Sequence, residues 1–264
     1  MMRLFRVRLS LLNGITAVGG YLLFPAPLAA WPMLALFCGV ALLAAGGTAL
    51  NQVLERDLDG MMARTRCRPL PQGLLSPALA AAMGFGCILA GLLALAVAGG
   101  VLPALLGILA LVWYLGVYTP LKRRSPLALL LGGVSGVLPP MIGYCLAGGD
   151  PLDYRVVILA GLLYLWQVPH FWLLQQRHAD DYCRAGIPLC GAPAILRRPW
   201  LAALGVGTLL LPVLGLVDGR LIWCGAFVAL LPVCLPRGRA EQAFVACLNA
   251  FPLLVSLALA TGRP

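Results

Sequence analysis

Residues 31–71 read WPMLALFCGVALLAAGGTALNQVLERDLDGMMARTRCRPLP. The segment begins as an uncharged apolar run and ends, from Asn51 to Pro71, with three acids and four arginines. Only 28 of the 264 residues are Asp, Glu, Lys or Arg, and seven of them fall between positions 51 and 71. About 20 predominantly apolar residues suffice for a helix to cross the hydrocarbon core of a bilayer. Charge is costly inside that core, so a charged cluster at the end of such a run marks a membrane surface or a functional site.

The same alternation repeats along the chain. Hydrophobic residues make up 61% of it and the mean hydropathy is +0.95, whereas soluble domains are roughly 45–50% apolar. Nine candidate spans follow, at 9–28, 31–52, 77–98, 101–118, 126–147, 154–176, 199–217, 221–235 and 244–260. Their continuous Leu, Ala and Gly runs lack the dyad alternation of barrel strands. The expectation is an all-α polytopic membrane protein, a single domain over residues 1–264 embedded in the lipid bilayer. Sixteen of the 19 basic residues lie in the N-terminal segment and in the loops after the even-numbered spans, leaving Arg155, Arg220 and Arg263 opposite. By the positive-inside rule the N-terminus is cytoplasmic and the C-terminus outside, in a bacterial-type inner membrane.

The net charge of +10 does not point to nucleic acid, because the basic residues are dispersed among short loops rather than gathered in one stripe. Nine cysteines form no CxxC pair and mostly fall inside apolar runs, so they read as small buried hydrophobes. The first apolar run follows Arg3, Arg6 and Arg8 and reads as a first span rather than a cleaved signal.

Five of the nine acids, Glu55, Asp57, Asp59, Asp180 and Asp181, fall in the two loops after spans 2 and 6. If span 2 continues as a helix, Asn51, Glu55 and Asp59 stack in one column at i, i+4 and i+8, with Asp57 turned away. A carboxamide and two carboxylates so arranged suit a hard cation held by oxygen, and Mg²⁺ prefers few protein ligands supplemented by substrate phosphates. The guanidinium forks of Arg64, Arg66 and Arg68 suit diphosphate oxygens. The bland alternative is a solvated loop whose charges only fix topology. The chain's one lysine, Lys122, followed by Arg123 and Arg124, is a topology anchor or a cationic partner for a departing diphosphate. Gly132–Gly136 and the Pro139-Pro140 pair read as close helix packing or as a bend that makes room for a bulky substrate. On a continuous sixth helix, His170, Arg177 and Asp181 share one wall, with Asp181 the stronger metal candidate and Asp180 behind it. Gln167 and His170 read as cavity-lining polar groups beside Pro169. Trp166, Phe171 and Trp172 line a planar or apolar substrate, or simply pack.

These residues resemble the UbiA-type membrane prenyltransferases. The family pattern NxxxDxxxD appears at residues 51–59 as NQVLERDLD, with Glu55 in place of the first Asp. Within the family, ERDLDGMMARTRCRPLP (55–71), YTPLKR (118–123), GGVSGVLPPMIGY (132–144), LWQVPHFW (165–172) and DYCRAGIP (181–188) resemble most closely the branch that prenylates heme. His170 and Asp180-Asp181 stand where other members carry a more Asp-rich motif, which favours heme over a quinone ring. The similarity covers roughly residues 6–193, and Phe5-Arg-Val-Arg8 replaces a Lys-Pro-Arg usual before the first span.

The resemblance implies a nine-helix bundle around a central cavity capped by cytoplasmic loops. It implies transfer of farnesyl from farnesyl diphosphate to a vinyl group of heme B, giving heme O for respiratory oxidases. It implies Mg²⁺ held by Glu55, Asp59 and Asp181, with Asn51, Lys122 and Arg123 completing the catalytic set. Arg64, Arg68, Tyr118, Trp166, Gln167, His170, Asp180 and Asn13 are the implied substrate-binding residues, Arg64 and Arg68 meeting either diphosphate or heme propionates. A downstream heme-modifying enzyme or oxidase assembly factor is the implied partner. A quinone-precursor ring or chlorophyllide as acceptor, and a transporter, are the open alternatives.

Overall fold

The computed structural model describes residues 2–25, 27–190, 194–216 and 250–259, and every regular element among them is helical. Helix α1 spans Val7–Leu23 and α2 Ala30–Leu54; a short α3 covers Arg56–Met61. Helix α4 spans Pro77–Gly99, starting at a Ser76 cap whose hydroxyl accepts from Leu79 N, with proline in the first turn. Helix α5 (Val101–Val112) runs through a π-helical turn, Trp113–Tyr118, into α6 (Thr119–Lys122). Helix α7 covers Ala128–Leu146, α8 Tyr154–Arg177, α9 Ala179–Arg184 and α10 Ala194–Val213, and a further apolar helix occupies Ala250–Leu259.

Five of these segments are long and apolar enough to cross a membrane: Ala30–Leu54, Pro77–Gly99, Val101–Lys122, Ala128–Leu146 and Tyr154–Arg177. The expected spans 1 to 7 therefore all appear as helices, with ends shifted by a few residues. The expected eighth span, at 221–235, lies outside the described residues, as do Arg220 and Arg263; the ninth is described only over Ala250–Leu259. Among the described cysteines Cys145 is buried, while Cys38 and Cys183 are exposed. The expectation of buried cysteines fails for those two: Cys38 sits on the outside of the apolar helix α2, and Cys183 in the short α9 beyond the end of α8.

The helices form a bundle in which α1 packs on α2 and α7, α2 on α4, α5 on α4 and α7, and α8 on α7 and α10. Helices in lipid gain little from burying apolar surface, so close backbone approach at small residues drives their association. Accordingly α2 and α4 meet at two glycine pairs seven residues apart, Gly39 with Gly91 and Gly46 with Gly84. Helices α1 and α7 are closer still. A Cβ on Gly143 would overlap the Ala17 carbonyl, and one on Gly20 would overlap the Pro140 carbonyl. Pro139 and Pro140 lie inside an uninterrupted α7. Of the two readings of that pair, the structure favours packing: Pro140 seats α1.

The two acid-bearing segments repeat one device. Helix α2 breaks at Glu55 (φ −110°, ψ 18°) and α8 at His178 (φ −120°, ψ 29°), and each break leads into a six-residue helix carrying two acids. The column after span 2 and the wall after span 6 were both read on the condition that the helix continues. At the first, the helical hydrogen bonds Glu55 N to Asn51 O and Asp59 N to Glu55 O persist at 2.9 and 2.8 Å, so the column survives with a bend. At the second, α9 is redirected, and Asp181 leaves the wall that holds His170. Gly186, at φ 63°, ends α9 with Ile187 N bonding to Tyr182 O and Gly186 N to Cys183 O, a left-handed cap.

Candidate active site

A cavity of about 700 Å³ opens in the bundle, within the 300–1,000 Å³ usual for small-molecule sites. Its inner walls are apolar, built from residues such as Val40, Leu43, Leu111, Leu129, Ile142 and Leu163. Its other end is charged, bordered by Glu55, Asp59, Arg64, Arg68, Lys122 and Arg6.

The acids are buried and each holds a cation. Glu55 and Asp59 retain 2% and 1% of their accessible surface. Lys122 Nζ lies 2.7 Å from Glu55 Oε2, and Arg68 lies 2.6 Å from Asp59 Oδ2. Asn51 Nδ2 donates to the same Glu55 Oε2 at 3.0 Å, and Thr119 Oγ1 donates to Asn51 Oδ1 at 2.8 Å. Glu55 Oε1, in contrast, is buried with no hydrogen-bond partner. A buried acceptor left bare is costly, and a carboxylate oxygen bordering a cavity is suited to a cation. Glu55, with Asp59 and Asn51 beside it, thus fits an oxygen-bound Mg²⁺.

Asp181 does not join them. Its two oxygens accept from Ala63 N at 2.9 Å and Arg64 N at 3.1 Å, and Arg184 adds a third bond at 2.6 Å. The Ala63 amide, foremost, holds its pKa below the ordinary carboxylate range. No group of three His, Cys, Asp or Glu side chains close enough to share a metal exists among the described residues. The structure does not bring the expected triad of Glu55, Asp59 and Asp181 together: Asp181 anchors the loop carrying Arg64 to Arg68. Leu58 and Met62 pack on Ala185 and Ile187 beside it, so the two acid-bearing segments are joined by an apolar seam as well.

Asp181→Asn puts an amide donor against one of the two backbone N–H groups and releases Arg184. The loop should then open roughly ten times more often, read as faster trypsin cleavage at Arg64 and Arg66 near neutral pH. Because the native carboxyl pKa is lowered, this clamp persists above the ordinary carboxylate pKa and weakens only as pH falls through the lowered value.

Arg123 also departs from expectation. It forms a two-point pair with Asp57, 2.9 Å on each side, and donates to Leu54 O at 2.8 Å. That pair, which lowers the Asp57 pKa and raises that of Arg123, is solvent-exposed and outside the cavity lining. Asp57 was rightly set apart from the column, and its cation goes with it. Exposed pairs contribute about 0–1 kcal/mol. Arg123→Ala should lower turnover by less than about fivefold, whereas Lys122→Met removes the cation at Glu55 itself.

Asn13, Arg64, Arg68, Tyr118, Trp166, Gln167, His170 and Phe171 all border the cavity. Asp180 is exposed and lies away from it. Trp172 is buried against Leu129 and Val168 and meets Trp200 edge-on, so of its two readings the structure favours packing. The Trp166 ring stacks on His170 at 5.2 Å and on Phe251 at 6.3 Å, and Trp166 and His170 of this aromatic stack border the cavity. Gly132 and Gly136 make room for it all: side chains there would collide with the Tyr118 ring and the Gln167 amide.

Sequence reading missed Thr119, Tyr114 and Arg6. Tyr114 stacks on Tyr118 at 5.9 Å across the π-turn, and both rings border the cavity. Arg6 is the one non-glycine with positive φ among the described residues, at 43°. It borders the cavity at the end that Arg64 and Arg68 also border. Its clue was the substituted segment before span 1.

The UbiA prenyltransferase family matches residues 13–262. A protein of Geobacter sulfurreducens named protoheme IX farnesyltransferase is 60% identical over 266 aligned positions, covering 97% of this chain and 96% of that one. One of the same name from Oleidesulfovibrio alaskensis is 42% identical over 80% of this chain and 76% of its own. Among solved structures, the apo UbiA homologue of Aeropyrum pernix superposes with a TM-score of 0.78 at 21% identity, over 97% and 98% of the chains. A UbiA homologue of Archaeoglobus fulgidus, bound to GPP and Mg²⁺, gives 0.71 at 14% identity, over 98% and 99%. In sequence and in fold alike, the chain belongs to the UbiA prenyltransferase family.

Proposed function

We propose that this membrane prenyltransferase transfers farnesyl from farnesyl diphosphate to a vinyl group of heme B, with addition of water, releasing diphosphate and giving heme O. The observation that carries the reading is the 60% identity, end to end, with the Geobacter protoheme IX farnesyltransferase. The cavity supports it: a charged mouth, apolar walls for a prenyl chain, and the aromatic side chains of Trp166 and His170 on its border for a porphyrin.

Glu55, Asp59 and Asn51 would hold Mg²⁺, which supplies charge neutralisation at the diphosphate oxygens. Lys122, Arg64 and Arg68 border the same end and stabilise charge that develops as the C1–O bond breaks and its electron pair leaves with diphosphate. The apolar walls keep water from the allylic cation until the terminal vinyl carbon attacks C1. The new cation, on the vinyl carbon next to the porphyrin, is captured by water, which then loses a proton. Tyr118, Gln167 and Asn13 shape the acceptor pocket. The charged mouth faces the cytoplasm of a bacterial-type inner membrane, with the N-terminus on the same side. The product passes to a heme-modifying enzyme or oxidase assembly factor.

Purified protein given labelled farnesyl diphosphate together with heme B and 4-hydroxybenzoate tests the acceptor. Label in heme alone is expected; label in the benzoate alone contradicts the assignment.

A further inference from the structure

The π-turn at Trp113–Tyr118 adds a residue to an otherwise α-helical span and rotates everything after it. Thr119 N–H bonds back to the Tyr114 carbonyl, five residues away. The Thr119 hydroxyl lies 2.8 Å from that carbonyl and also 2.8 Å from Asn51 Oδ1. A hydroxyl has one proton. The Tyr114 carbonyl already receives the backbone N–H, whereas among the described residues Thr119 is the donor that reaches Asn51 Oδ1, so the proton belongs on Asn51. The amide of Asn51 cannot usefully flip, because its oxygen would then face the Glu55 carboxylate.

Three residues on, Lys122 reaches Glu55 from the same short helix. Thr119 and Lys122 thus grip the Asn51–Glu55 pair from two directions. Both donors to Glu55, Asn51 Nδ2 and Lys122 Nζ, converge on Oε2, and Oε1 is the oxygen left bare. We propose that Thr119, set in place by the π-turn, is a positioning residue: acting through Asn51, its hydroxyl fixes the Glu55 carboxylate with Oε2 occupied and Oε1 presented to a divalent cation. This rests on the metal–diphosphate reading above and adds to it a residue that does not touch the metal.

The test is Mn²⁺ binding to the detergent-solubilised full-length protein, followed by electron paramagnetic resonance with inorganic pyrophosphate present, so that no turnover is needed. Loss of an outer-shell partner costs roughly 10–100-fold in metal affinity. Thr119→Val should show that loss, and Thr119→Ser should return to within about threefold of the unmodified protein. Thr119→Cys, which keeps the volume and a weaker donor, should fall between, and serves if the valine variant does not fold. Because Thr119 acts through Asn51, the double variant Thr119→Val/Asn51→Ala should bind no more weakly than Asn51→Ala alone. Undiminished binding by Thr119→Val, or multiplied losses in the double variant, overturns the proposal. If the unmodified protein binds no Mn²⁺ with pyrophosphate, the metal–diphosphate reading itself fails first.

Discussion

Glu55→Gln is expected to lower turnover on the order of 10³-fold, the loss seen when a group that stabilises developing charge is removed. The carboxylate is buried beside the cavity, its Oε1 has no hydrogen-bond partner, and its Oε2 holds Lys122. The substitution has a second consequence. Removing one partner of a buried pair costs about 3–5 kcal/mol, because the other charge is stranded, though Lys122 keeps 18% of its side-chain surface and relaxes some of that cost. The double variant Glu55→Gln/Lys122→Met removes both charges and should recover much of the stability while remaining inactive. Thermal unfolding and farnesyl transfer on the same preparations separate the two roles. Recovery of activity in the double variant would show that Glu55 serves only to neutralise Lys122.

Gly143→Leu is expected to have the largest effect on folding. No side chain fits where α7 meets the backbone of α1 at Ala17. Overpacking of this kind costs about 3 kcal/mol or more where backbone must move, and a change of that size lowers the unfolding temperature by roughly 6–12 °C. Gly161 in α8 has open space around its Cβ position. Gly161→Leu is the matched control, and its unfolding temperature should move little. Equal effects at the two sites would show that the α1–α7 contact is not what holds the bundle.

Why the spans were legible while part of the site was not follows from the solvent. In hydrocarbon a helix satisfies its own backbone, so the length of an apolar run alone places α2, α4, α7 and α8. The column of Asn51, Glu55 and Asp59 was legible because it lies on one local period, and a bend at Glu55 did not break its hydrogen bonds. Asp181 was not, because its partners are the backbone amides of Ala63 and Arg64, 118 and 117 positions earlier. Backbone amides carry no sequence signature. Arg123 and Lys122 are neighbours in sequence, and only the direction of the short helix after the π-turn decides that one meets Asp57 and the other Glu55. That turn also hid Thr119, whose hydroxyl it brings within 2.8 Å of Asn51 Oδ1, 68 positions earlier.

The most direct measurement is the heme profile extracted from the membranes of cells that make heme B but no heme O, expressing this chain or its Glu55→Gln variant. The unmodified chain should yield a heme heavier than heme B by one farnesyl group and one hydroxyl group, and the variant should yield heme B alone. Heme B unchanged by the well-inserted unmodified chain, or the farnesylated heme undiminished in the variant, would contradict the account.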